Sequence, residues 1–247
     1  MNGFLLKKNI VLVVLACVSL VLYLVDYFVL GNSRDIFSSF IGNLAFLPVY
    51  VIFITLIVEQ IVRERERQAV MRKLNMVIGV FFSEVGNRLL RELSDYVEAC
   101  AELKRHLLVS GVWKDAEFAT ALDYLRRTDI KVSCDGCDKK RLKEFLIEKR
   151  PFLVGLLENQ NLLEHEQFTD LLWAVFHLVE ELEARLSFDD MAQSDIEHIN
   201  GDIKRVFGHL SREWVLYMQH LKVDYPYLFS LAVRLNPMID HPDPHVY

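Results

Sequence analysis

Two apolar runs open the chain, and periodic segments follow them. Residues 9–30 are dominated by Val and Leu and carry one formal charge, Asp26; residues 44–62 carry only Glu59. At 1.5 Å per residue the first run makes a helix of about 33 Å, enough to cross a hydrocarbon core of about 30 Å, and the second is also long enough. Between them lies a connector of about 13 residues that opens with the turn-forming stretch Gly31, Asn32, Ser33, Arg34, Asp35. A link that short makes the two helices antiparallel neighbours. The pattern predicts a two-helix transmembrane hairpin over residues 1–62.

Beyond residue 62 the apolar positions recur at three and four. Leu74, Val77, Ile78, Phe81, Phe82, Val85, Leu89, Leu90 and Leu93 mark one long membrane-proximal helix over 63–110, running towards Leu108, with Gly79 and Gly86 marking close packing or a bend. Four more blocks are predicted helical: 113–127, 139–160, 164–186 and 196–222. Pro151 should end or kink the second of these near Arg150. A further helix is expected from Pro226 to just before Pro237; its aromatic and apolar content requires cover, by its own bundle or by a partner or membrane. No segment alternates with period two between hairpin turns. The expectation is an all-α protein, with the hairpin followed by a cytosolic α-helical bundle over 111–238 and a loose tail over 239–247.

Composition sharpens this picture. Apolar residues make up 52% of 247 and charged ones 25%, so the greasy content is concentrated where the runs are. A net charge of −6 offers no field for a polyanion, and nucleic acid is not an expected partner. Lys7 and Lys8 precede the first run, and Arg63, Arg65, Arg67, Arg72 and Lys73 follow the second, whereas the connector offers only Arg34 beside Asp35. By the positive-inside rule both termini face the cytoplasm of an inner (plasma) membrane. A cleaved signal ending before Cys17 is the rival reading of the first run. Leu15 is too bulky for a cleavage box, and hydrophobicity continues for 13 residues past Cys17.

Candidate chemistry is sparse. Asp26 and Glu59 are intramembrane polar residues, but each lies near an end of its span, where reaching water explains it as well as a polar pathway does. Cys134 and Cys137 form a CxxC that can take half of a tetrahedral zinc site, with His106 or His165 as distant completing groups; a polar loop and a redox pair are the other readings. His198, His209 and His220 repeat every 11 residues, about 16 Å apart along a helix, too far to share one metal. Asp195 with His198 is the single carboxylate-x-x-His pair, where a di-iron bundle needs two. His177 with Glu181, one helical turn apart, reads as a buried hydrogen-bonded pair before it reads as an active-site base. Phosphate-binding loops, nucleophile elbows, zincin and kinase motifs and a potassium-channel filter are all missing.

Residues 42–48 (GNLAFLP), 73–86 (KLNMVIGVFFSEVG) and 224–237 (DYPYLFSLAVRLNP) resemble segments of an uncharacterised family of prokaryotic membrane proteins with two spans and a helical domain. The resemblance implies that layout and carries over no catalytic residue. Together these features lead to the expectation of a non-enzymatic, homo-oligomeric membrane protein. Its cytosolic domain acts as a sensor, scaffold or module for a protein partner or small ligand, with zinc the only cofactor suggested. The alternative is an oligomeric ion channel or membrane-perturbing effector gated by that domain.

Overall fold

The computed structural model describes residues 33–98, 100–133, 137–159, 162 and 165–246, together with 21, 24, 25 and 28. The chain divides into two units, Met1–Glu66 and Arg67–Tyr247. The first predicted span falls, but for those four positions, outside the described residues. Among the described residues no helix is long and apolar enough to cross a membrane.

Helix α1, Ser33–Phe81, begins inside the stretch read as a turn-rich connector, so most of that connector is helical, and Pro48 lies within it. Its described side chains start at Tyr50. From Leu74 onwards one face is buried, with Leu74, Ile78 and Phe81 each no more than 4% exposed. The long helix does not continue to Leu108. A π-turn at Phe82–Gly86 follows α1, then α2, Asn87–Ser94. The chain then leaves the helix at Asp95 and Tyr96. Backbone there pairs elsewhere: Val97 forms an antiparallel bridge with Val132, with Glu98 N donating to Lys131 O at 3.0 Å and Ser133 N to Tyr96 O at 2.9 Å. Pairing of this kind competes with helix propagation for the same donors.

The remaining elements are α3 (Cys100–Leu107), α4 (Asp115–Arg127), α5 (Lys139–Leu157), α6 (Glu166–Ala184), α7 (Gln193–Asp224) and α8 (Pro226–Arg234). Three of these starts have a local cause. Lys114 N donates to Glu117 Oε2 at 2.7 Å at the head of α4, Asp138 Oδ1 accepts from Arg141 N at 2.9 Å on α5, and His165 Nδ1 accepts from Phe168 N at 3.1 Å on α6. Pro151 does not end α5. Leu142, Phe145 and Leu146 before it and Leu153 and Leu156 after it are buried, and Pro151 itself is exposed, so packing on both sides outweighs the roughly 3 kcal/mol intrinsic penalty.

The core is all-α, and no sheet exists among the described residues. Phe168, Leu171, Leu172, Val175, Leu178 and Val179 of α6 lie against Ile199, Ile203, Val206, Phe207 and Leu210 of α7 in one buried cluster. The α8 segment is covered only in part: Phe229 is buried, whereas Tyr227, Leu228 and Leu231 are exposed. The tail, expected to be loose, is fastened. Asn236 Nδ2 donates to Leu107 O at 3.0 Å, Lys104 pairs with Asp240 at 2.6 Å, and Arg234 Nε donates to Pro244 O at 2.9 Å.

Candidate functional site

Helices α6 and α7 are consecutive and packed against each other. The link between them runs through residues 185–192, with Asp190 in the left-handed region at φ 57°. The chain reversal sets the last turns of α6 beside the first turns of α7. Each helix offers a His with a carboxylate four residues later: His177 and Glu181 on α6, His198 and Asp202 on α7. On a helix that spacing puts both groups on one face.

The four groups converge. One ligand atom from each lies within 4.8 Å of all the others. Asp202 Oδ2 is 3.4 Å from His177 Nε2 and 3.4 Å from His198 Nε2. Glu181 Oε2 is 3.5 Å from His198 Nε2, and its Oε1 is 3.8 Å from His177 Nε2. The two imidazole rings stand perpendicular, at 89°, with their Nε2 edges turned to the same carboxylates.

Burial across the cluster is uneven. The Asp202 side chain is 2% exposed, whereas His177 and His198 are 43% and 51% exposed. Asp202 Oδ1 accepts from Arg205 Nη1 at 2.8 Å, but Oδ2, which points at the two imidazoles, is buried with no hydrogen bond. Glu181 is held by Arg185, at 2.7 Å on the same Oε2 that faces His198, and this bond, helped by His198, keeps its carboxyl below the usual range. Arg185 also takes Asp195, whose carboxyl it holds down, so Asp195 pairs away from His198. Two imidazoles and two carboxylates arranged this way can act as imidazolium–carboxylate ion pairs or as four ligands to one cation.

The other residues singled out in the sequence lie elsewhere. Cys134 and Asp26 fall outside the described residues. Cys137 is half-buried, and its thiol donates to Asp95 O at 3.3 Å. The two histidines proposed to complete a thiolate site have other work: His106 stacks on Tyr124 at 3.8 Å between ring centroids, and His165 caps α6, with burial pushing its imidazole towards the neutral form that can accept that bond. Glu59 forms an exposed one-turn ion pair with Arg63 at 3.1 Å. His220 pairs with Asp224 at 2.8 Å and contacts Asn75 at 3.2 Å, and His209 lines a groove between α4 and α7. His177 and Glu181 do meet, but on a half-exposed face instead of a buried one, because the inward positions of α6 are taken by Leu178, Val179 and Leu182.

These features define an all-α protein with an N-terminal helical part and a larger helical domain carrying a polar His-carboxylate cluster. Residues 5–62 match the family described as MJ1433, N-terminal helical domain, and residues 70–234 match that described as Uncharacterized protein MJ1433, C-terminal helical domain. The chain belongs to the MJ1433 family. It is 37% identical over 233 residues to Uncharacterized protein MJ1433 of Methanocaldococcus jannaschii, an alignment covering 93% of this chain and 94% of that protein. No solved structure matches it.

Proposed function

We propose that the protein is a two-pass, self-associating membrane protein of the inner (plasma) membrane. In this reading the domain beyond residue 62 faces the cytoplasm and serves as a non-catalytic binding or sensing module. The observation that carries the reading is the surface of α1: every apolar side chain from Tyr50 to Val62 is between 43% and 64% exposed, on all faces of the helix. A stretch apolar all round is at home in lipid or in a core, and a contiguous exposed patch of this kind in water drives association. Residues 44–49 of the same helix extend it in sequence as Leu-Ala-Phe-Leu-Pro-Val, and Arg63, Arg65 and Arg67 follow immediately, which supports an inward-facing end.

For a ligand, the helical domain offers the groove between α4 and α7, about 640 Å³, where Leu122, Leu125 and Leu216 alternate with Arg126, Lys204 and Arg212. The lining also holds Asp123, which pairs with Arg126 at 2.6 Å, and the groove suits a small molecule with an apolar body. The anchoring is tested by alkaline extraction of membranes and by a reporter joined through a flexible linker after Tyr247. Retention in the pellet with reporter activity inside the cell is expected; release at alkaline pH, or activity only outside, ends the reading.

A further inference from the structure

We propose that His177, Glu181, His198 and Asp202 bind one divalent transition-metal ion of the zinc class, stapling α6 to α7. The site stands apart from the membrane reading and does not need it.

The spacing of the four groups admits a ligand set. Around an ion with bonds of about 2.0–2.1 Å, the edges of a tetrahedron between ligand atoms are about 3.3–3.4 Å. The His–carboxylate separations are 3.4 Å to each ring from Asp202 Oδ2, 3.5 Å to His198 from Glu181 Oε2 and 3.8 Å to His177 from Glu181 Oε1, and one atom from each residue can be taken with all four within 4.8 Å of one another. Charge-assisted hydrogen bonds would draw the same atoms to about 2.7–2.9 Å. The arginine contacts to the same carboxylates have closed to that range, Arg205 at 2.8 Å on the outer Asp202 Oδ1 and Arg185 at 2.7 Å on Glu181 Oε2, the oxygen that also faces His198, whereas the imidazole contacts stand wider.

An independent sign is Asp202. Its side chain is 98% buried by the 2% exposure above, and Oδ2 is aimed into the cluster without a hydrogen bond. A buried carboxylate oxygen left this way costs stability unless a cation or donor meets it. Arg205 orients the Asp202 carboxylate from behind, the part that outer-sphere partners play at metal sites, and Arg185 fixes the Glu181 carboxylate through Oε2. Mixed imidazole and carboxylate donors suit zinc and its neighbours better than calcium or magnesium, which take oxygen. Four protein ligands fill a tetrahedral ion, as structural sites do, so the ion would hold two helices together and activate no water.

The test uses the purified full-length chain, stripped with chelator and titrated with Zn²⁺ and separately with Co²⁺. About one ion per chain is expected, with the intense visible bands of tetrahedral Co²⁺ and a melting temperature that rises with added Zn²⁺. The double variant His177→Ala/His198→Ala should keep its metal-free melting temperature, since both rings are half-exposed, and lose all three responses. Asp202→Asn, a change of one atom, should weaken uptake without loss of fold. The proposal is overturned by absence of uptake of either ion, or by uptake unchanged in the double histidine variant. It is also overturned if uptake survives there and disappears in Cys134→Ser/Cys137→Ser, which would place the ion on thiolates.

Discussion

The ring of Tyr217 lies flat on that of Phe82, with 4.9 Å between centroids and 12° between planes. This stack joins α7 to the π-turn, and Phe81 meets Phe82 and Phe168 edge-on at 5.3 and 5.2 Å in the same cluster. The rings of Phe81 and Phe82 are fully buried and have no room to yield.

Gly86 closes that turn. A β-carbon there would lie 2.5 Å from Phe82 Cδ1 and 2.9 Å from Phe81 Cε1. Gly86→Ala should therefore destabilise by about 1–3 kcal/mol through overpacking. Gly79 supplies the control: its added β-carbon would meet Tyr217 at an ordinary 3.6 Å, and Gly79→Ala should be neutral or stabilising by up to about 1 kcal/mol. Denaturant midpoints for the two variants decide this, and equal effects would refute the packing account.

Burial pushes the Glu213 carboxyl up to about 7, with Arg212 only partly offsetting it. The side chain is 2% exposed, and Oε1 has no hydrogen bond. The folded protein thus holds a proton that the unfolded chain releases near pH 4.5. Stability is greatest below about pH 4.5 on this account, falls as pH rises to about 7, and is then flat, the whole change being up to about 3 kcal/mol. Glu213→Gln, neutral throughout, should match the parent at pH 4 and exceed it at pH 8. An advantage of the same size at both pH values would show that charge is not the cause.

Asn236 is wholly buried. It bonds Leu107 O through Nδ2 and accepts from Met238 N through Oδ1 at 2.8 Å. Asn236→Ala strands a carbonyl and an amide, so a loss of about 2–4 kcal/mol is expected. Hydrogen exchange should also quicken over the tail beyond Pro237. A variant that lost stability with the tail's exchange unchanged would contradict the clasp.

Helix existence was legible wherever one apolar stripe was long enough, as for α6 and α7, whose ends lie within a few residues of the expected ones. The stop at Ser94 was not legible, because the competing partner of Tyr96 and Val97 comes from a strand-like segment more than 30 residues away. Pro151 misled in the other direction: its local penalty is visible in sequence, but the buried leucines that override it count only once α5 is packed. Half of the polar cluster could be read in the same way. The spacing of His177 and Glu181 was evident, whereas His198 was matched with Asp195 and with the 11-residue histidine repeat and not with Asp202. The missed signal was a His followed four residues later by a carboxylate on each of two consecutive amphipathic helices. Which faces of those helices meet is a tertiary fact. The exchange of Asp195 to Arg185 likewise depends on the reversal at 185–192.

The π-turn has one more consequence. Its extra residue shifts the helical phase, and from Phe81 the buried positions step by four through Val85, Leu89 and Leu93. Rewinding the turn to regular α geometry with all its residues kept would swing Leu89, Leu90 and Leu93 by about 100° away from the interior, whereas excising one residue along with the rewinding would leave them facing inward. The wide turn is thus a place where the chain could shorten by one residue without turning its buried leucines outward.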